Sequence, residues 1–301
     1  LKRTGVFEYL AIRAAKKAKG DPWKILVLFA IITALSSAFL DNVTTILLIV
    51  PVTLVITDTL DTNPIPFMFT EILIANIGGT ATLIGDPPNI MIGSATGLGF
   101  VDFIVNLAPV VIVISVATLF LLKLIYKDFL KATDENKQKI MKMDETITIK
   151  DTLLLKKSLI VFFITILGFM VHAQFHLESA TVALGGAALL LVISKIDPEE
   201  ILFEVEWTTI FFFMGLFILV GSLVEVGVID NLAKKMLELT KGNLFVTTLT
   251  ILWVSAIASA FLDNIPFVAT MIPLIKAMTA SGQLDANPLW WALALGACLG
   301  G

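Results

Sequence analysis

The sequence predicts an all-α polytopic membrane protein built from two repeats. Of its 301 residues, 57% are hydrophobic and only 15% are charged, whereas soluble domains carry about a quarter charged residues. Mean hydropathy is +0.93, and apolar runs of about twenty residues, long enough to cross a bilayer, recur along the chain. The hexapeptide Ser-Ala-Phe-Leu-Asp-Asn occurs twice inside such runs, starting at Ser37 and Ser259. A repeated intramembrane carboxylate indicates a duplicated ion site.

The duplication extends beyond the hexapeptide. The second copy starts at Ser259, 222 residues after Ser37, and the same offset aligns further identical residues without a gap. These pairs are Gly5 with Gly227, Gly20 with Gly242, Pro51 with Pro273, Pro66 with Pro288, and Gly78-Gly79 with Gly300-Gly301. Shared apolar composition does not account for them, so we expect an internal repeat.

The repeat divides the chain into three parts. Residues 1–125 form a first repeat with an amphipathic arm helix, a hairpin, a broken helix and a span. Residues 126–157 form a cytoplasmic loop, and residues 158–301 form an incomplete second repeat. The sequence lacks the beginning of the first repeat. The second repeat stops at Gly301, opposite Gly79, so the loop that follows Gly79 in the first repeat has no counterpart. We therefore expect a fragment truncated at both ends.

Apolar runs are of two kinds. Four are uninterrupted and predict ordinary transmembrane helices, at residues 100–125, 158–175, 177–193 and 208–224. Four contain Asp-Asn, Gly-Gly or proline breaks, at residues 25–57, 64–94, 244–279 and 288–301. Such breaks free backbone groups that lipid cannot satisfy, so these segments should line a cavity as re-entrant hairpins and broken helices.

Lysine and arginine in the loops predict the orientation. Residues 1–24 carry seven basic residues and residues 126–157 carry eight lysines, which places both in the cytoplasm. Following the spans from there puts residues 227–242 outside, so the repeats should be inverted. Residues 195–206 fit poorly, because they should be inside yet hold five acidic residues and one lysine. Acidic residues contribute little to this rule.

The hairpin tips carry the first candidate ligands. Asp41-Asn42 and Asp263-Asn264 end the two hexapeptides, and a charged residue at mid-membrane costs about 2.5–3.5 kcal/mol on insertion scales. The first copy adds the hydroxyls of Thr44 and Thr45, which the second copy lacks. Carboxylate, amide and hydroxyl oxygens suit a small hard cation or a proton. The alternative is that each aspartate only caps the next helix, and both roles can hold together.

Residues 76–89 predict an unwound helix centre. Their glycines permit unusual dihedral angles and their two prolines remove N–H donors. Side-chain oxygens come from Thr80, Thr82, Asp86 and Asn89. An ordinary interfacial loop is the alternative interpretation.

Glu71 lies in an apolar run seven residues before Gly78, and its repeat counterpart is Leu293. We expect either an intramembrane proton carrier or a buried, protonated structural glutamate. Cys298 is expected to serve packing. His172 and His176 lie near the outer end of a predicted span, where interfacial histidine is expected.

These motifs resemble a superfamily joining arsenite permeases, NhaD-type sodium/proton antiporters and the melanosomal P protein, with the P-protein-like branch nearest. The resemblance covers nearly the whole chain and rests on residues 37–45, 76–89, 205–209 and 296–301. The hairpins are more remotely similar to those of sodium/dicarboxylate symporters. The resemblance implies two re-entrant hairpins, two broken helices, a homodimer and elevator-type movement.

Carried over onto this sequence, the resemblance also implies site residues. The first site comprises Asp41, Asn42, Thr44, Gly79, Thr80, Gly85, Asp86 and Asn89. A sodium site is implied at Asp41, Asn42 and Asp86, and a second site at Asp263 and Asn264 with residues beyond Gly301. Pro266 and Phe267 replace Thr44 and Thr45 in the second copy, so the two sites need not bind the same ion.

We therefore expect a secondary active transporter of a small inorganic ion or solute, in which Asp41 and Asp263 exchange a cation or proton as access alternates. Arsenite/antimonite permeation and sodium/proton antiport are close competitors. A sodium-coupled dicarboxylate or anion symporter is an alternative, weakened because aspartate at both tips repels a dianion. An anion channel or a non-transporting membrane receptor represents another class.

The expected partners are the lipid bilayer, the transported ion or solute and a second copy of the chain. The sequence shows no nucleotide-binding loop, nucleophile triad or metal cluster, so we expect neither an enzyme nor a cofactor beyond a coupling sodium ion or proton. No nucleic-acid partner is expected, and a separate ATPase partner stays open. The predicted location is an integral, multi-pass position, in the plasma membrane if the protein is prokaryotic.

Overall fold

A computed structural model describes residues 1–175, 177–280, 282 and 284–301, and all regular secondary structure in those ranges is helical. Of the helices described, five are long and apolar enough to cross a membrane: Asn42–Leu60, Phe100–Tyr126, Thr152–Val171, Trp207–Glu225 and Leu244–Phe261. The predicted all-α polytopic membrane class is confirmed. His172 lies at the end of one of these helices, and His176 lies outside the described residues.

Fifteen α-helices follow one another in the described ranges. The first eight are α1 Val6–Lys17, α2 Pro22–Ser37, α3 Asn42–Leu60, α4 Ile65–Gly79, α5 Pro87–Thr96, α6 Phe100–Tyr126, α7 Asp134–Lys142 and α8 Thr152–Val171. The remaining seven are α9 Ser179–Ser194, α10 Pro198–Leu202, α11 Trp207–Glu225, α12 Val228–Thr240, α13 Leu244–Phe261, α14 Asn264–Thr279 and α15 Asn287–Gly300.

Two elements differ from the predicted boundaries. Helix α9, expected to be an ordinary span, has 16 residues, so it is about 24 Å long and shorter than the roughly 30 Å hydrocarbon core. The predicted cytoplasmic loop contains a helix of its own, α7, and α8 begins within it at Thr152. Asp151 and Glu178 are the N-cap residues of α8 and α9, and these polar residues mark where the two helices start.

The first compact unit comprises Leu1–Asp86 and Gly99–Lys195. Helices α2 and α4 pack side by side, α3 packs on both, and arm helix α1 covers α2 and α3. The core of this unit includes Phe29 of α2, Ile56 of α3 and Phe67 of α4. Lys16 of α1 binds Glu145 with Nζ and Oε2 2.6 Å apart, and this hydrogen bond holds the pKa of Glu145 below its usual range.

The second unit comprises Pro87–Leu98 and Ile196–Gly301. Its most extensive contact is between α13 and α15, and α12 packs against α14. Helix α5 packs against α14 and α15. The α13–α15 pair corresponds in the repeat to the α2–α4 pair of the first unit.

Paired glycines of the repeat adopt the same backbone conformation. Gly5 and Gly227 precede the arm helices α1 and α12 with φ values of +78° and +73°. Gly20 and Gly242 follow those helices with φ values of +71° and +64°. These dihedral angles lie in the left-handed region that favours glycine. The conserved spacing of these glycines therefore reflects two turns that both copies need.

Close helix packing explains a further glycine pair. A β-carbon on Gly78 of α4 would lie 2.6 Å from the carbonyl oxygen of Ala34 in α2. In the second unit, a β-carbon on Gly300 would lie 2.3 Å from the carbonyl oxygen of Ala256 in α13. Small residues allow membrane helices to approach this closely. The same backbone contact is thus built in each unit.

We expect Gly78→Ala to destabilise the protein by about 1–3 kcal/mol, because the added methyl group must push two helix backbones apart. Thermal unfolding in detergent measures the effect. The matched control is Gly215→Ala in α11, where an added β-carbon meets nothing within 4 Å, and alanine favours the helix. Equal unfolding temperatures for the two variants would refute the packing interpretation.

Candidate functional site

Both hairpin-tip aspartates cap the helix that follows them. Asp41 Oδ2 accepts a hydrogen bond of 3.0 Å from the backbone N–H of Thr44, at the start of α3. Asp263 Oδ1 accepts one of 2.9 Å from the N–H of Ile265, at the start of α14. The two carboxylates are exposed on their own units. Capping is therefore part of their role, and their exposed positions leave them accessible to an ion.

Asn42 is the residue that joins the first tip to the broken helix. Its amide nitrogen donates to the carbonyl oxygens of Ala75, at 3.1 Å, and Gly85, at 3.2 Å, because an amide oxygen there would face only acceptors. The other end of the amide lies 3.3 Å from the side chain of Asn76. Asn42 thus satisfies carbonyl groups on both sides of the break in the α4–α5 segment.

A serine bond recurs at both tips. Ser37 Oγ donates to the carbonyl oxygen of Ala75 at 2.7 Å, and Ser259 Oγ donates to the carbonyl oxygen of Ala297 at 2.7 Å. Both bonds are buried and each joins the first hairpin helix to the helix that lies beside it. The two copies therefore share their hydrogen bonding as well as their sequence.

The segment predicted to be unwound, residues 76–89, is non-helical only in its centre, because residues 76–79 end α4 and residues 87–89 begin α5. Residues 80–86 are non-helical and almost entirely buried. Thr82 Oγ1 donates to the carbonyl oxygen of Ala38 in the hairpin tip and accepts from the N–H of Gly85 at 3.1 Å. A β-carbon on Gly79 would lie 2.3 Å from the Asn42 side chain. The tip and the unwound segment consequently form one packed cluster.

The structure places the predicted site residues in different surroundings. Asn42, Gly79 and Gly85 contact one another as described above. Thr80 Oγ1 bonds the carbonyl oxygen of Asn76 at 2.8 Å, and Asp86 is buried at the end of the segment. Asp41 and Thr44 are exposed at the tip.

Asn89 belongs to the second unit, where it starts α5 together with two prolines. Its Oδ1 lies 3.5 Å from Sγ of Cys298 in α15. Cys298 is buried, which agrees with the packing role expected for it. In the same unit, a β-carbon on Gly301 would lie 2.8 Å from Nδ2 of Asn264, repeating the Asn42–Gly79 contact of the first unit.

The sequence pointed to the hydroxyls of Thr45 and Thr82 as candidates but not to that of Ser37. Ser37 and Thr82 hold the tip to the unwound segment, and the identity of Ser37 with Ser259 was the available signal. Thr45 is fully buried, and within the described residues its hydroxyl has no hydrogen-bond partner.

A cavity of about 310 Å³ lies beside the first tip within the first unit. Leu40, Thr44 and Leu48 of the hairpin line one side of it, and residues of α8 and α9 such as Ser158 and Gly186 line the other. Its walls are mostly apolar. Within the described ranges, no group of three or more His, Cys, Asp or Glu side chains could hold a metal ion.

Comparison with known proteins gives a consistent set of relatives. Residues 1–296 match the model of a family described as citrate transporter. An uncharacterized transporter of Mycobacterium tuberculosis is 46% identical over 303 residues, covering 100% of this chain and 70% of the relative. A 46 kDa membrane protein of Mycobacterium leprae is 44% identical over 303 residues, covering 100% and 71%. The P protein of Homo sapiens is 32% identical over 382 residues, covering 99% and 45%.

We expect Asn42→Asp to destabilise the protein by about 1–3 kcal/mol, because two carbonyl groups lose their donor and face an oxygen instead. Thermal unfolding in detergent measures the loss. Asn63→Asp is the matched control, since Asn63 Oδ1 only accepts a bond from the N–H of Ile65 at 3.0 Å and aspartate keeps that acceptor. Similar stability of the two variants would contradict the donor role of Asn42.

Proposed function

The chain belongs to the citrate transporter family, and from this we propose that it is a secondary active transporter coupling a small inorganic ion or solute to protons or sodium. It is an integral, multi-pass membrane protein, located in bacteria in the plasma membrane. Transporters among its relatives support transport as the general activity. The resemblance to the P-protein-like branch is confirmed by the human P protein match.

The buried, non-helical segment at residues 80–86 is the observation that carries the proposal. Inside a bilayer, irregular backbone is tolerated only where protein covers it or where it lines a cavity. Helix breaks of this kind are how transporters present carbonyl oxygens and helix ends to ions and solutes.

Alternating access supplies a role for the tip carboxylates. Asp41 and Asp263 are anchored by their helix caps yet exposed, so each can exchange a proton or cation when its tip reaches water. The proposal includes inverted repeats, an elevator-type movement of the hairpin-bearing part, a homodimer and the absence of enzymatic chemistry. Arsenite/antimonite permeation and sodium/proton antiport are its two most specific forms.

A carboxylate substrate is the second candidate, favoured by the family's description as citrate transporter. The N-terminus of α3 points to the tip and attracts negative charge. Asp41 already occupies that terminus as its cap, which disfavours a free dianion there. Because Asp41 caps α3, we rank a carboxylate substrate below a small inorganic ion.

Transport by the full-length protein in vesicles tests the proposal. Sodium, arsenite and citrate are supplied separately under imposed proton and sodium gradients. Gradient-driven accumulation of any of them supports secondary active transport, and the substrate that accumulates selects between the candidates. Substrate flux that is unaffected by the imposed proton and sodium gradients would favour the channel class. No flux of any substrate would count against the proposal.

We expect Asp41→Asn and Asp263→Asn each to lower coupled flux by about tenfold or more while leaving stability unchanged, because asparagine caps a helix as well as aspartate but carries no charge. Flux and thermal unfolding are measured on the same vesicle preparations. Asp21→Asn is the matched control, since Asp21 caps α2 in the same way, accepting from the N–H of Lys24 at 3.0 Å. If both tip variants keep wild-type coupled flux, the carboxylate mechanism is wrong.

A further inference from the structure

A buried carboxyl group lies away from the tip, in the middle of α4. Glu71 is 1% exposed and its hydrogen-bonding partner Thr53, in α3, is 0% exposed. Thr53 Oγ1 and Glu71 Oε1 are 2.5 Å apart. The second carboxyl oxygen, Oε2, is buried and has no hydrogen-bond partner within the described residues. The pair therefore has unused capacity to bind a proton or another donor.

The second repeat shows what this position needs for packing alone. Thr53 and Glu71 correspond to Ile275 and Leu293 in the alignment, and both of those residues are 0% exposed. The same place in the fold is thus filled by an apolar pair in one copy and by a hydroxyl and a carboxyl in the other. Since packing is satisfied without polar groups, the polar pair has another purpose.

No cation in the described part of the chain is paired with the carboxyl group. Among the described residues, Glu71 forms no ion pair. Helices α2, α3 and α6 pack against α4, and their titratable groups all lie in end turns or caps: Asp21, Lys24, Asp41, Asp58, Asp61, Asp102, Lys123, Tyr126 and Lys127. An ionised carboxylate would carry an uncompensated charge inside the membrane. In this conformation the neutral, protonated form is favoured.

The pair lies close to a cleft at the open end of the hairpin. Thr57 Oγ1 donates to the backbone carbonyl of Thr53 at 2.9 Å. Thr57 also lines a cleft of about 440 Å³, together with Asp58 and Thr62. The buried pair is therefore one helical turn from a cleft that carries an exposed carboxylate. A proton that moves between the cleft and Glu71 therefore has about one helical turn, roughly 5 Å, to cross.

We propose that Glu71, with Thr53, is a proton-binding site separate from the hairpin tip, and that it exchanges its proton through the cleft at Thr57 and Asp58. One proton adds to the carboxylate and leaves it again, with no electron transfer. Glu71 is eight residues before Gly79, about 12 Å along α4. The inference rests on the proposed function and makes the coupling ion a proton.

Infrared spectroscopy of the full-length protein in vesicles tests protonation without needing transport. We expect a carboxylic-acid band at neutral pH that is present in the wild type, absent in Glu71→Gln and lost from the wild type at alkaline pH. Thr70→Val is the control, because Thr70 is a buried neighbour whose hydroxyl bonds only the carbonyl of Pro66 at 2.6 Å. It should keep the band. A wild-type spectrum identical to that of Glu71→Gln would overturn the inference.

Coupling is tested by proton movement during solute flux, followed with a pH dye inside the vesicles. Glu71→Gln and the double variant Thr53→Ile with Glu71→Leu should fold, the latter because it copies the second repeat, and each should move about tenfold fewer protons per solute. Thr70→Val should retain coupling. Wild-type proton coupling in both Glu71 variants would overturn the inference, even if transport itself is intact. Absence of transport in the wild type would instead refute the proposed function, leaving the infrared result to decide the proton site.

Discussion

Every backbone N–H and C=O group inside a bilayer must find its partner within the protein, and the arrangement of this chain depends on that constraint. Inside a helix these groups bond to one another, but those at the helix ends have no partner within the helix. The hairpin tips and the unwound segment create several helix ends at once, and side chains from the neighbouring element satisfy them. Ser37, Asn42 and Thr82 bind carbonyl groups across the break, which is possible only because small residues let the backbones approach.

The two repeats keep this scaffold and change the chemistry placed on it. The serine bond, the asparagine–glycine contact and the glycine–alanine contact occur in both units. Asn76, beside the first tip, becomes Cys298, and the Thr53–Glu71 pair becomes Ile275 and Leu293. Side chains that can bind a proton or an ion are therefore concentrated in the first copy. A transporter with two equivalent ion sites would not show this asymmetry.

Much of the fold could be predicted from the sequence, because apolar runs and repeated glycines have direct structural causes. The left-handed turns at Gly5 and Gly20 recur where the alignment places them. Two features escaped prediction for physical reasons. Helix α7 lies in a charged stretch with no apolar run to predict it, and Thr53 is 18 residues from Glu71, so only the packing of two helices reveals the pair. Capping by Asp41 was foreseen as an alternative and proved compatible with an exposed carboxylate.

The shared packing of the two units has an evolutionary consequence. Because the two repeats come from a duplication, comparing them shows which positions of the shared scaffold accept substitution. Ala34, Ser37, Asn42 and Gly78 are unchanged in the second copy, and each touches backbone or the helix beside it. Glu71 and its counterpart Leu293 differ in chemistry, yet both are buried. Divergence within a single polypeptide thus separates the residues that shape the fold from those free to acquire new chemistry.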